Sequence, residues 1–251
     1  MRKAVFINTT AIIIINTLAV VCTWKKDIKL DMAPTAVDDQ YIGCVNETYN
    51  LVKSKILQED FTKDRAFERA WNKYSNITDD FTRIIKVYTA TGHLYSQFND
   101  AVGSGRKQYR TQFNYKAFHF LLTRAVQMHK VQTCVNVFRR TNVHFKKSLF
   151  SNKMRFGRFT STSLRNNMTQ FGNISCFKIE TCYGANISAI SELPKEEEVL
   201  IPPFEKFKIT NTDKNKMNCG VLYTLQSAGN FSKMNCELFK KKTFLMQMRG
   251  R

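Results

Sequence analysis

Apolar positions recur along this chain with two different periods, and the change falls near Val135. Upstream, the spacing is helical. Between Asn114 and Lys130, residues Tyr115, Phe118, Leu122, Ala125 and His129 share one face, and Asn114 offers a cap. Tyr49–Asp60, Asp64–Tyr74 and Asp79–Tyr88 carry the same amphipathic spacing, whereas Ala101–Gln108, with Gly103 and Gly105, reads as a loop. Downstream come short runs that read as strands: Val135–Arg139, Ser175–Cys182, Glu198–Ile201, Phe204–Ile209 and Val221–Leu225. Pro202-Pro203 must interrupt or edge a ladder, because proline donates no hydrogen bond. Helices over about 45–132 and strands over about 133–240 predict an α+β fold, not a doubly wound sheet. No Pro/Gly-rich linker divides 24–251, so one domain is expected there.

The N-terminus adds a compartment. Arg2 and Lys3 precede an apolar run, Ala11–Val21, which Asn16 and Thr17 interrupt and Lys25-Lys26 end. That is short for a membrane span and fits a secretory signal over 1–23, with an uncleaved anchor as the alternative. Lys240–Arg251 is basic and lacks the apolar tail of a glycolipid anchor, so a soluble, secreted monomer is expected, or one held at the outer membrane face if the signal persists or the chain continues. Seven cysteines occur; with Cys22 in or beside the signal, six remain, an even set that suits disulfides in a secreted chain. No C-x-x-C pair accompanies the scattered histidines, so no metal site is expected. Asn46, Asn76, Asn167, Asn173, Asn186 and Asn230 each open a glycosylation triplet. The formal charge of +19 is spread along the chain without a nucleic-acid motif, which predicts a basic solvated surface rather than a nucleic-acid partner.

Three short features can carry chemistry: Val137-Phe138-Arg139, Phe159-Thr160-Ser161-Thr162-Ser163, and Glu196-Glu197-Glu198 running into Val199-Leu200-Ile201-Pro202-Pro203. Taken singly, each has an ordinary explanation. A lone arginine solvates a surface, a Ser/Thr run makes a turn or an exposed strand face, and a run of glutamates is a charged loop. Their order and flanks change that balance. Asp31-Met32-Ala33-Pro34, Asp38-Asp39-Gln40-Tyr41 before Cys44, Tyr115-Lys116-Ala117-Phe118-His119 and Arg155-Phe156-Gly157 accompany them. With these motifs, from about Asp31 to Lys240, the sequence resembles the vertebrate arginine-specific ecto-mono-ADP-ribosyltransferases, which share an R-S-E pattern with several bacterial toxins.

The resemblance implies the rest. The β part is expected as two mostly antiparallel sheets. The substrate is NAD, with NADP as an alternative donor, and the acceptors are arginine-bearing proteins. Cleaving the nicotinamide–ribose bond develops oxocarbenium-like charge, as in glycoside hydrolysis, and a nearby carboxylate stabilises it. That role falls to Glu198. Glu196 would bind the acceptor guanidinium, and strand alternation would put both acids on one face if the strand reaches Glu196. Arg139 would hold a phosphate of NAD, Ser161 would support Glu198 and the ribose, and Phe171 would stack on nicotinamide. The family commonly has glycine where Arg140 stands, which predicts weaker NAD binding if the backbone must adopt a glycine conformation. Cys44–Cys236 and Cys134–Cys182 are the implied disulfides, leaving Cys176 and Cys219 as a third pair. An NAD glycohydrolase on the same fold and a non-enzymatic secreted binding protein are the competing readings.

Overall fold

The computed structural model describes residues 27–148 and 151–240; the expected signal at 1–23, Cys22 and residues 241–251 lie outside the described residues. Helix α1 (Val45–Leu51) runs through a π-helical stretch, Val52–Ile56, into α2 (Leu57–Lys63), and α3 (Arg65–Lys73) and α4 (Asp80–Thr89) follow. Acid caps set these starts. Asp64 accepts from the backbone of Ala66 and Phe67, and Asp79 from Thr82. Then come α5 (Leu94–Ser104) and α6 (Lys116–Met128).

Two expectations fail here. The stretch 101–108 is no loop, because α5 continues to Ser104 and a 3-10 turn, Gly105–Gln108, follows. Its glycines serve close packing: an added Cβ would lie 2.8 Å from the Arg158 side chain at Gly103, and 2.7 Å from the Phe113 ring at Gly105. Asn114 does not cap α6 either. Tyr115 precedes the helix without a side-chain cap, and the buried Asp60 of α2 accepts from the Ala117 amide at 2.7 Å. Helix α6 is more than an amphipathic stripe: Phe118, Phe120, Leu121, Leu122, Ala125 and Val126 are all fully buried. It is the centre of the helical layer.

The strands are β1 (Ile28–Leu30), β2 (Val135–Thr141), β3 (Phe145–Lys147), β4 (Lys153–Met154), β5 (Thr160–Ser163), β6 (Ser175–Thr181), β7 (Ala185–Asn186), β8 (Glu198–Ile201), β9 (Glu205–Lys214) and β10 (Val221–Asn230). Strands β1 and β3 form a small parallel pair. The others form one eight-stranded sheet in the order β4-β9-β10-β6-β2-β5-β8-β7, antiparallel except at β6–β10. In the middle, β2 meets β5 only at Phe138–Ser163. The sheet therefore splays there, and the two faces of β8 enter separate cores. Leu200 and Phe159 pack with the helices, while Val199 and Ile201 pack with Phe177, Phe207 and Tyr223. Pro202-Pro203 sits between β8 and β9, where the ladder breaks.

Three disulfides close the chain: Cys44–Cys236, Cys134–Cys182 and Cys176–Cys219, with Cα separations of 6.0, 4.1 and 6.1 Å. Among the described residues no helix is long and apolar enough to cross a membrane.

Candidate active site

A cavity of about 420 Å³ opens at the splay between β2 and β5. That volume is within the range of small-molecule pockets. All the residues singled out for chemistry line it: Arg139, Ser161, Phe171, Glu196 and Glu198. Glu197 does not.

Each is placed by its strand or turn. Arg139 projects from β2, and its guanidinium donates to the Ser161 carbonyl of β5 at 2.6 Å. That bond crosses the splay next to the single Phe138–Ser163 pair. Glu198 opens β8 opposite Ser163 and is only 4% exposed. Its Oε1 is buried without a hydrogen-bond partner. Burial pushes this carboxyl up to about 7; the Ser161 hydroxyl lowers it, the Glu196 charge raises it, and the Arg139 charge lowers it. A buried carboxylate with an unpartnered oxygen, on a residue that lines a cavity, is costly, and such costs cluster at sites of chemistry.

Glu196 reaches the cavity by another route than the one expected. It is not on the strand, since β8 begins at Glu198. Glu196 ends a 3-10 turn, Pro194–Glu196, and Glu197 follows in the left-handed region with φ 47°. That reversal turns the half-buried Glu196 back to the cavity and sends Glu197 to solvent. Ser163 fixes the turn, its hydroxyl donating to the Glu196 carbonyl at 2.6 Å, while the Leu164 amide donates to the Glu197 carbonyl at 3.1 Å. Burial raises the Glu196 carboxyl as well.

Phe171 sits on a 3-10 turn, Thr169–Phe171, at the rim, and is 44% exposed. A ring in that position is free to cover a planar ligand. Arg140 does not take a glycine conformation; it lies in the regular β2–β6 ladder opposite Cys176, with no positive φ. The backbone penalty raised for this position therefore does not arise.

The back wall of the cavity carries no motif in the sequence. Tyr88 of α4 lines the cavity, donates its hydroxyl to the Phe159 carbonyl and accepts from the Asn99 side-chain amide, each at 3.1 Å. Tyr88 had the signature of a core position, the end of an apolar stripe, and nothing local marked its hydroxyl. The flanking motifs, by contrast, build scaffold. Asp38 and Arg155 form a fully buried pair at 2.6 Å, and His119 lies between the Tyr41 hydroxyl and the Val37 carbonyl. Burial lowers His119 to about 3, so it is neutral, with Nε2 donating to Val37 and Nδ1 accepting from Tyr41.

A helical layer thus packs on a splayed sheet, with an arginine, a serine and two glutamates around the opening. The family model for NAD:arginine ADP-ribosyltransferase matches residues 30–233. The chain is 36% identical to an erythroblast NAD(P)(+)–arginine ADP-ribosyltransferase of Gallus gallus over 86% of its length and 78% of that protein. It is 39% identical to T-cell ecto-ADP-ribosyltransferase 2 of Mus musculus, over 75% of its length and 71% of that protein. The crystal structure of the eucaryotic mono-ADP-ribosyltransferase ART2.2 superposes with a TM-score of 0.73 at 33% identity, covering 85% of this chain and all of that one. Mutants of that enzyme have been crystallised with NADH and with NAD. This chain belongs to the NAD:arginine ADP-ribosyltransferase family.

Proposed function

We infer that the protein is a mono-ADP-ribosyltransferase that breaks the nicotinamide–ribose bond of NAD and passes ADP-ribose to arginine side chains of proteins. The observation that carries this reading is the pair of cavity carboxylates, Glu198 buried with a bare oxygen and Glu196 half-buried beside it. As nicotinamide departs with the bonding electrons, positive charge grows on the ribose carbon. An ionised Glu198 opposes that charge most strongly in the transition state, because it is buried and already in place. Glu196 lies nearer solvent and accepts the guanidinium of the incoming arginine, whose nitrogen then forms the new bond to the ribose and loses a proton. Arg139 would hold a phosphate by charge and forked geometry. Ser161 positions Glu198, and Phe171 covers the nicotinamide ring. NADP is a candidate second donor.

The relatives include ecto and GPI-linked enzymes. Together with three disulfides, this supports work outside the cell. We place the protein there as a secreted monomer. Incubation with labelled NAD and a soluble arginine analogue tests the reading. Labelled adduct is the expected product. Free ADP-ribose alone would make the chain a glycohydrolase, and no turnover would make it a binding protein.

A further inference from the structure

Arg140 stands where the resemblance leads one to expect glycine, and its side chain is 8% exposed. The guanidinium donates from Nε and one terminal nitrogen to the Asn166 carbonyl at 3.2 and 3.0 Å. The same terminal nitrogen reaches the Met217 carbonyl at 3.0 Å. The other approaches Cys219 Sγ at 3.3 Å and Cys176 Sγ at 3.9 Å. One rigid fork thus ties together the 164–172 loop after β5, the 215–220 turn between β9 and β10, and the Cys176–Cys219 disulfide. A planar group with five fixed donors suits such a junction better than a flexible ammonium.

The tied loop matters because Arg165, Met168 and Phe171 on it line the cavity. Its ends have anchors of their own. The Arg165 amide donates to the Ser163 hydroxyl at 2.9 Å, and Gly172, at φ 123°, seats against Thr141, where a Cβ would lie 2.5 Å from the carbonyl carbon. Between those anchors, Arg140 grips the loop at Asn166.

We propose that Arg140 is a positioning residue, holding the 164–172 loop in the conformation that receives NAD; the proposal rests on the reading of this cavity as the NAD site. Without the guanidinium, the Asn166 and Met217 carbonyls lose a charged donor and the loop samples more conformations. NAD then binds only the competent fraction, and its apparent affinity falls by that fraction. Once NAD is bound, Glu198 faces the ribose as before. The defect therefore appears in KM for NAD and not in kcat.

The test compares wild type, Arg140→Ala, Arg140→Lys and a Cys176→Ser/Cys219→Ser double variant by NAD kinetics, thermal midpoint and hydrogen exchange. Arg140→Ala should raise KM for NAD roughly tenfold, as loss of charge-assisted bonds implies, with kcat close to wild type. Exchange over 166–171 should quicken while α6 stays protected. Arg140→Lys should show a smaller KM defect, and it carries the comparison if the alanine variant does not fold. The cysteine variant should lose stability yet keep KM, since both carbonyl contacts remain. An unchanged KM in both Arg140 variants, or an equal rise in the cysteine variant, overturns the proposal. If wild type turns over no NAD, the functional reading falls, and the exchange data alone decide whether Arg140 holds the loop; unchanged exchange would sink it.

Discussion

Two buried carboxylates, in two regions, meet opposite treatment. At the seam joining the N-terminal segment to the end of the fold, Asp38 is fully buried and fully answered. It receives the Arg155 guanidinium at 2.6 Å and the amides of Lys233 and Met234 at 3.0 Å. Arg155 in turn donates to the carbonyls of Met32, Ala33 and Phe231. At the cavity floor, Glu198 is almost as buried, yet one of its oxygens has no partner. The same chemical group is mortar in one place and a held charge in the other. What distinguishes them is whether the fold supplies donors to both carboxylate oxygens.

That contrast is broken most severely at the seam. Arg155→Met leaves Asp38 charged and buried without its cation, and breaking such a pair costs about 3–5 kcal/mol. Urea denaturation should show this loss; a change under about 1 kcal/mol would mean that the two amides alone satisfy Asp38.

At the cavity, Glu198→Gln should leave folding intact and collapse both arginine transfer and NAD hydrolysis. One preorganised electrostatic contact accounts for ~3–4 kcal/mol, a rate factor on the order of hundreds. Glu196→Gln should cost less and more selectively. Transfer to arginine falls about tenfold or more with the loss of a charged acceptor, while hydrolysis persists because water needs no guanidinium clamp. If it abolished hydrolysis as fully as Glu198→Gln, the division of labour would be wrong.

A further effect is on stability against pH. The Glu198 carboxyl is raised by burial to about 7 in the folded protein, so folding favours its protonated form. Its penalty is absent below the ordinary carboxylate range, grows as pH rises from there to about 7, and is complete above that. Glu198→Gln removes the penalty. Its thermal midpoint should exceed that of wild type at pH 8 and converge with it near pH 4. Wild-type turnover should run the other way, rising through about pH 7 as Glu198 ionises. A mutant no more stable at pH 8 would show that the bare oxygen costs nothing.

Much of this was legible in the sequence because local signals agreed with the fold. The starts of β2, β6, β8 and β10 coincide with the reading, and the residues chosen for chemistry all line one cavity. The misreadings share a cause. Gly103 and Gly105 look like turn residues, but Arg158 and Phe113 dictate them from afar. Asn114 looks like a cap, but Asp60 from another helix answers the first turn of α6. Glu196 and Glu198 do share a site, yet through a left-handed Glu197 that no propensity would suggest. Tyr88 reads as core because it is almost fully buried; that it also lines the cavity had no local signal.

The seam also orders events in time. Asp38 and Asp39 take their amide partners from Lys233 to Glu237, and Cys44 is bonded to Cys236 across 192 positions. During synthesis, the segment around Asp38 emerges long before those partners do. Contacts so distant in sequence must wait for the loop between them to close, which slows folding. Until then Asp38 and Asp39 lack those donors and the Cys44 thiol is unbonded to its native partner. The helical layer can assemble while the chain is still growing, but the clasp is a final step, taken only after nearly all of the described residues have been made.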